Sequence, residues 1–342
     1  MTNAPIFIVG TPRSGTTLTA KIVGRHSHIF MPGETQFFED IYSRRNQLGD
    51  PSDLEALDNI IQRLVTLYGR YNERPDQERI DRIFSNESIV RDFKERCRTC
   101  RTYEDVFTLF MQLQMVHEGK MRWGNNTPRD IFSIPDILTF YPDAKILVCV
   151  RDIRDFLSSY QKKWKITAEA QVERLKRLYH PIVTSLLWKS SVKLVPSIQS
   201  LVPKDNFMIV RYEDLVQESE KVVHGICATI EEEFENEMLS VEYNNSSSDV
   251  AARGIYSVSV GVWKQNLRKE DVYVGQLLAG NELRQLGYAI ERVKVNPFRI
   301  VAVFLTFPFA LLRALYASRQ MRGPLTSYIL RRAWGLFSRA WR

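Results

Sequence analysis

The stretch Ile6-Phe7-Ile8-Val9-Gly10-Thr11-Pro12-Arg13-Ser14-Gly15-Thr16-Thr17-Leu18 opens on four apolar residues, turns between two glycines and leaves in a helix-compatible run. A strand, a glycine-bounded turn and a helix N-terminus in that order make a phosphate cradle. Backbone N–H groups of the turn and the positive end of the helix dipole then face the same anion. The spacing is close to the G-x-x-x-x-G-K-[ST] loop of nucleotide-binding proteins. Thr16 departs from it by standing where those loops carry lysine, and the cation of the turn is Arg13. Such a unit belongs to an open α/β sheet whose ligands collect at the carboxyl ends of the strands.

Working outward, Ile146-Leu147-Val148-Cys149-Val150 reads as a second buried parallel strand, ending in Arg151-Asp152-Ile153-Arg154-Asp155-Phe156-Leu157-Ser158-Ser159. Arg151 therefore lies where a second phosphate can bind. A transferring γ-phosphoryl group carries dense charge that kinases neutralise with lysine and Mg²⁺. A sulfuryl group carries less, so an arginine and hydroxyls suffice without a metal.

The two stretches together resemble the sulfotransferases that use 3'-phosphoadenosine 5'-phosphosulfate (PAPS), most closely the bacterial carbohydrate and tyrosylprotein-type branch. That branch has a first motif similar to Thr-Pro-Arg-Ser-Gly-Thr-Thr-Leu. The resemblance extends over most of residues 5 to 290, through Arg211-Tyr212-Glu213-Asp214-Leu215, Gly261-Val262-Trp263-Lys264 and Leu286-Gly287-Tyr288. It implies that Arg13, Ser14, Gly15, Thr16 and Thr17 hold the 5'-phosphate side of PAPS, with Arg13 also stabilising charge on the leaving group. It implies that Arg151 and Ser159 hold the 3'-phosphate. Arg253, Ser257 and Lys264 become cofactor contacts if the stretch before Trp263 folds over the cofactor, and are otherwise ordinary surface-loop residues.

An acceptor hydroxyl must lose a proton as it attacks sulfur, so a base is required beside the cradle. Glu34 follows the short apolar run Ile29 to Met31, the position at which similar sulfotransferases carry a catalytic glutamate. It also suits an N-cap or first-turn carboxylate of the next helix. Two positions depart from the family pattern. Asn126, in Asn125-Asn126-Thr127-Pro128, replaces a lysine that many members use at the reacting centre, which points to slower chemistry, another acceptor or a substitute cation such as Lys21. Val262 replaces a frequent basic residue.

The expected fold is α/β: a P-loop-like three-layer arrangement with a mostly parallel central sheet flanked by helices on both faces, followed by a basic, apolar helical tail. Residues 1–291 form the sulfotransferase domain. A helical insert over about 51–119 carries amphipathic spacing at Leu57, Ile60, Ile61, Leu64 and again at Val106, Phe107, Phe110. It forms either the acceptor-side wall or simply part of the core. His26 and His28 read as helix-end structural residues. Cys97 and Cys100 form a single C-x-x-C without a partner pair, so no metal is expected. Four cysteines in 342 residues fit a reducing compartment. Lys162, Lys163 and Lys165 around Trp164 face an anionic acceptor or, as a plain charged helix face, only solvent.

After Glu291 come ten basic residues and no acidic one, leaving 37 basic against 40 acidic residues in the first 291. The net charge of +7 belongs to the tail. The run Ile300 to Leu312 is almost wholly apolar, and Leu325 to Trp341 mixes aromatics with arginine. The first run is short of the ~20 apolar residues of a spanning helix, so peripheral membrane contact through residues 292–342 is expected, against the alternative of a helical hairpin packed on protein. Nothing in Met1 to Pro5 resembles a signal peptide or anchor. The expectation is a cytoplasmic enzyme, peripheral at the inner face of the membrane. It would transfer the sulfuryl group of PAPS to a hydroxyl, on a carbohydrate of a glycolipid or lipid-linked saccharide. The alternatives are a P-loop kinase using Mg-ATP and a catalytically impaired, membrane-bound nucleotide-binding protein. Basic charge confined to an apolar tail, without a recognition motif, does not indicate nucleic acid.

Overall fold

The computed structural model of the protein describes residues 4–72, 87–161, 179–243, 252–253, 255 and 259–318. Five parallel strands form one sheet: β1 (Ile6–Gly10), β2 (Ile29–Phe30), β3 (Arg122–Asn125), β4 (Lys145–Val150) and β5 (Phe207–Arg211), in the spatial order β2-β3-β1-β4-β5. β1 and β4 pair in register from Ile6 opposite Lys145 to Gly10 opposite Cys149. Both are buried along their whole length, as near-continuous apolar runs in a doubly covered parallel sheet must be. Because all five strands run the same way, their carboxyl ends share one edge. The segments that follow them are thereby brought together in the order Glu34, Asn126, the Gly10–Gly15 turn, Arg151 and Tyr212.

The strand alternation sorts the core into two layers. Phe7, Val9, Ile146, Val148 and Val150 face the insert, made of α2 (Leu54–Asn72), α3 (Glu87–Cys97) and α4 (Tyr103–His117). Ile6, Ile8, Leu147, Cys149 and Val210 face α1 (Thr16–Gly24) and a helix at Ser219–Ile230. Each fully buried aliphatic side chain contributes ~1.5–3 kcal/mol, and the apolar spacing of α2 and α4 is used for this burial. Leu57, Ile60, Ile61, Leu64, Val106, Phe107 and Phe110 are all core residues. Phe107 stacks on Phe37 at 4.2 Å between ring centroids, fastening the insert to the chain leaving β2.

A third cluster lies beside the sheet. It combines Ile153, Phe156 and Leu157 of the helix Ile153–Gln161, Trp188 of Pro181–Val192, and Val272, Ala279 and Leu283 of Lys269–Gln285. A short antiparallel pair, Glu242–Tyr243 with Ala252–Arg253, stands apart from the main sheet. The C-terminal part of the described chain is one continuous helix, Pro297–Ser318, running through Pro308.

Candidate active site

The cradle is built as its sequence dictates. Gly10 has φ +146°, and a Cβ on it would come within 2.2 Å of the Cys149 carbonyl oxygen, so the close approach of β1 and β4 requires glycine. Arg13 and Gly15 hold positive φ of 75° and 91°. Such left-handed residues turn successive amides of a loop toward one side, making an anion-binding nest. Gly15 is the N-cap of α1 and has no side chain to occupy the first-turn amides. Thr16 is buried in the helix and Thr17 lies exposed at its start. The hydroxyl oxygens of Thr11 and Ser14 are buried and have no partner within the protein. Orphaned buried polar atoms are costly, and here they line a loop shaped for an anion.

The two sequence motifs meet at this point. Arg13 Nε donates to Ser159 Oγ at 3.1 Å, and one Arg151 terminal nitrogen donates to the Arg13 carbonyl at 3.2 Å. The other donates to the Ser259 carbonyl at 2.6 Å, and the Arg151 guanidinium lies 4.3 Å over the Tyr212 ring. Arg151 Nε remains buried without a partner. Ser159 thus contacts Arg13, while Arg151 bonds to the backbone of Arg13 and of Ser259. All three share one cluster of donors.

Its supports come from residues that sequence reasoning left unassigned. The Asp155 carboxylate accepts the Gly261 and Trp263 amides at 2.7 and 3.0 Å, pinning the late Gly-Val-Trp-Lys turn beside Arg151. Burial pushes the Asp155 carboxyl up, and Arg151 and the two amides work against that rise. Trp188 Nε1 donates to the Arg151 carbonyl, and Glu213 accepts from the Asp152 amide and the Tyr288 hydroxyl. Burial raises the Glu213 carboxyl as well.

Glu34 stands half-buried beyond β2. Gln36 Nε2 donates to its carboxylate at 2.6 Å. The N-cap of the following π-type turn, Phe37–Ile41, is Gln36 at φ 55° with no side-chain cap, so Glu34 does not fill the capping role that its position also suited. The loop is clamped to the end of β3: Thr35 donates to Asn125 Oδ1, Asn125 Nδ2 to Asp130 Oδ2, and the Gln36 amide to Thr127 Oγ1. Burial, with the Glu39 charge added, holds the Asp130 carboxyl well above the usual range. Asn126 is buried between the Glu34 side and the cradle, with its Oδ1 unpartnered. Lys21 lies in the last turn of α1, about 7.5 Å along the axis from Thr16 at 1.5 Å per residue.

The profile of the Sulfotransferase family matches residues 5–236. The chain belongs to the sulfotransferase family. The sulfotransferase domain from the curacin biosynthetic pathway superposes with a TM-score of 0.52 at 17% identity, covering 85% of this chain and 99% of that one, a likeness of fold. The sulfotransferase domain from the Synechococcus PCC 7002 olefin synthase gives a TM-score of 0.49 at 20% identity over 81% of this chain and 94% of that one. An uncharacterized protein of Aquifex aeolicus (strain VF5) is 23% identical over 290 residues, 83% of this chain, and the chain spans 32% of that relative's length.

Of the remaining expected cofactor contacts, only Lys264 has a described side chain. Lys264 is exposed, with Nζ 3.9 Å from Glu291 and 5.7 Å from the Trp263 ring centroid. Ser257, the Arg253 side chain, Lys162, Lys163, Lys165 and the tail beyond Ser318 lie outside the described residues. Among the described residues His26, His28 and Glu232 approach as a metal triad would. The hydrogen bonding argues otherwise. His26 Nδ1 accepts the His28 amide, so Nε2 carries the proton it gives to the Glu233 carbonyl and has no lone pair for a metal. A groove of about 440 Å³ between Tyr42, Arg45, Tyr103 and Phe140 lies toward the opposite edge, since Phe140 ends the helix leading to the start of β4.

Proposed function

We propose that the protein transfers the sulfuryl group of PAPS to a hydroxyl of a membrane-borne acceptor, a carbohydrate of a glycolipid or lipid-linked saccharide, at the cytoplasmic face of the membrane. Residues 1–291 act as the catalytic domain, and residues 292–342 make the peripheral membrane contact. The observation that carries the cofactor assignment is the set of buried, unpartnered polar atoms at one edge, Thr11 Oγ1, Ser14 Oγ and Arg151 Nε, around a cradle that no side chain caps. They fit an anion with more than one phosphate-like group, and the cations that approach it are arginines.

Bound PAPS supplies an electrophilic sulfur, whose bond to the 5'-phosphate breaks as the acceptor oxygen bonds to it. The chain's own residues prepare this. Gly15, Thr16 and Thr17 present first-turn amides and hydroxyls to the 5'-phosphate. Arg13, fixed by Ser159, faces the charge that develops on the leaving oxygen, a role that commonly contributes most to such a step. Arg151 holds the 3'-phosphate, with Ser159 beside it. Glu34, oriented by Gln36, takes the acceptor proton. Asn126 supplies hydrogen bonding without charge where relatives carry lysine, and Arg13 provides the cation of the centre. Arg253, Ser257 and Lys264 add further contacts to the nucleotide.

The test is calorimetry with 3'-phosphoadenosine 5'-phosphate in EDTA, with ADP as control and Arg151→Ala alongside. Metal-free binding at least tenfold tighter than ADP, lost in the variant, is expected. Equal binding of ADP, or binding only of Mg-ATP, overturns the PAPS assignment. Transfer from PAPS to lipid-linked sugars then separates a working enzyme from one that binds without turnover.

A further inference from the structure

The helix Pro297–Ser318 has two apolar faces, and the domain covers only one of them. Ile300, Val303, Phe307, Ala310 and Ala314 recur at three- and four-residue steps and are the more buried positions, down to 6% exposure at Ala310. This face rests on the helix Pro181–Val192, with lesser contact to Lys269–Gln285. Two polar contacts fix the seat: His180 Nε2 with Thr306 Oγ1 at 3.2 Å, and Arg299 with Glu270 at 3.6 Å. On the far side Phe298, Val301, Leu305, Phe309, Leu312 and Tyr316 follow the same steps, at 55–86% exposure. At about 100° per residue these six lie within an arc of about 80°, centred opposite the packed face.

A large apolar stripe left in water requires an occupant. Its surroundings say which. The helix sits in a segment with ten basic residues and no acidic one, and Arg299 and Arg313 lie along one flank of the stripe. A protein partner that buried the stripe would have to neutralise that charge. An anionic bilayer supplies both the apolar interior and the negative headgroups. The helix is also long enough to cross a bilayer, at 22 residues or about 33 Å. Crossing would carry with it the helix Pro181–Val192, a core element that holds Trp188 against Arg151.

We infer that the helix Pro297–Ser318 is an in-plane membrane element: the stripe Phe298, Val301, Leu305, Phe309, Leu312 and Tyr316 inserts among anionic lipids while the opposite face stays on the domain. This rests on the peripheral contact proposed above and specifies its geometry. The membrane then lies alongside the helical layer next to the cofactor cluster, and no part of the described chain spans it.

The experiment is sedimentation of the full chain with vesicles of phosphatidylcholine alone or mixed with phosphatidylglycerol, for the native protein and for Leu305→Glu/Phe309→Glu. Binding to the anionic vesicles only, weakened by salt and at least tenfold by the double substitution, is expected. Both positions are exposed, so the variant keeps its melting temperature and its binding of 3'-phosphoadenosine 5'-phosphate. Several outcomes overturn the inference: no binding by the native protein, equal binding by the variant, resistance of membrane-bound protein to alkaline carbonate as for a spanning helix, or a native dimer that the substitutions dissociate without a change in lipid binding. Failure of the sulfuryl-transfer reading would show in the calorimetry and leave the vesicle result standing.

Discussion

Arg13 and Gln36 each hold a backbone conformation that side chains disfavour, with φ of 75° and 55°. A left-handed residue costs ~1–2 kcal/mol, and these two, unlike Glu231 at φ 59°, lie in the loops that follow β1 and β2 at the ligand edge. Each is tied by its side chain: Arg13 to Ser159, Gln36 to Glu34. The strain at Arg13 aims a guanidinium, and the strain at Gln36 aims a carboxylate. If Glu34 is the base, Glu34→Ala lowers kcat by ~10²–10⁴-fold while affinity for 3'-phosphoadenosine 5'-phosphate stays within twofold. Gln36→Leu, which removes only the orienting amide, then lowers kcat by ~10-fold with the same unchanged affinity. Steady-state kinetics beside calorimetry decide it. A parallel loss of nucleotide affinity in either variant would make this loop part of the cofactor site instead.

Among the elements, β1, β4 and β5 were legible because each is a short apolar run ending at a recognisable motif, and β2 because Ile29 to Met31 precedes Glu34. β3 was not, since Arg122-Trp123-Gly124-Asn125 has one large apolar residue and a buried arginine. Arg122 is tolerated there because it bonds to the Ala4 and Ile230 carbonyls and to Glu232. The cradle could be read because it is contiguous. Asp155 with Gly261, and Glu213 with Tyr288, could not, because ordinary polar residues far apart in sequence carry no local pattern. The far end of α1 is another such tie. The Ser27 amide donates to Glu235 at 2.7 Å and its hydroxyl bonds to the same carboxylate. Burial opposes ionisation of Glu235, but the two Ser27 hydrogen bonds hold its carboxyl below the usual range. A depressed carboxyl contributes stability that is present above the ordinary glutamate value and is lost as pH falls through the folded one. Glu235→Gln therefore costs ~1 kcal/mol at pH 7, and the gap closes as pH falls from the ordinary glutamate range through the lower folded value. Urea unfolding across that range measures it, and a gap independent of pH would show that shape alone holds α1.

At the scale of the whole molecule the charge and the thiols are segregated, and each separation has a consequence. The first 291 residues carry a small acidic excess, and the charged residues after Glu291 are all basic, so the two parts of the chain differ in the sign of their net charge. All four cysteines are free and buried, on both sides of the sheet. Burial pushes the Cys149 thiol up to about 12 and the Cys227 thiol up to about 11, and it raises Cys97 and Cys100 as well. Only the thiolate reacts. At pH 8 the native fraction at Cys149 is then on the order of 10⁻⁴, about three orders below an open cysteine. Cys149 sits where β1 and β4 close on Gly10, with its sulfur 3.4 Å from Thr19 of α1, so its reactivity reports opening of the cradle itself. With a disulfide reagent at pH 8, the native protein should leave Cys149 unlabelled on a timescale that labels all four thiols in guanidinium. Saturating 3'-phosphoadenosine 5'-phosphate should slow its labelling further, and Cys227 on the helix behind should be unaffected. Peptide mapping after labelling distinguishes the sites. Fast labelling of Cys149 without nucleotide, suppressed by its addition, would mean that the cradle opens locally and that the ligand closes it. Fast labelling that nucleotide does not change would uncouple the cradle from the strands that carry it.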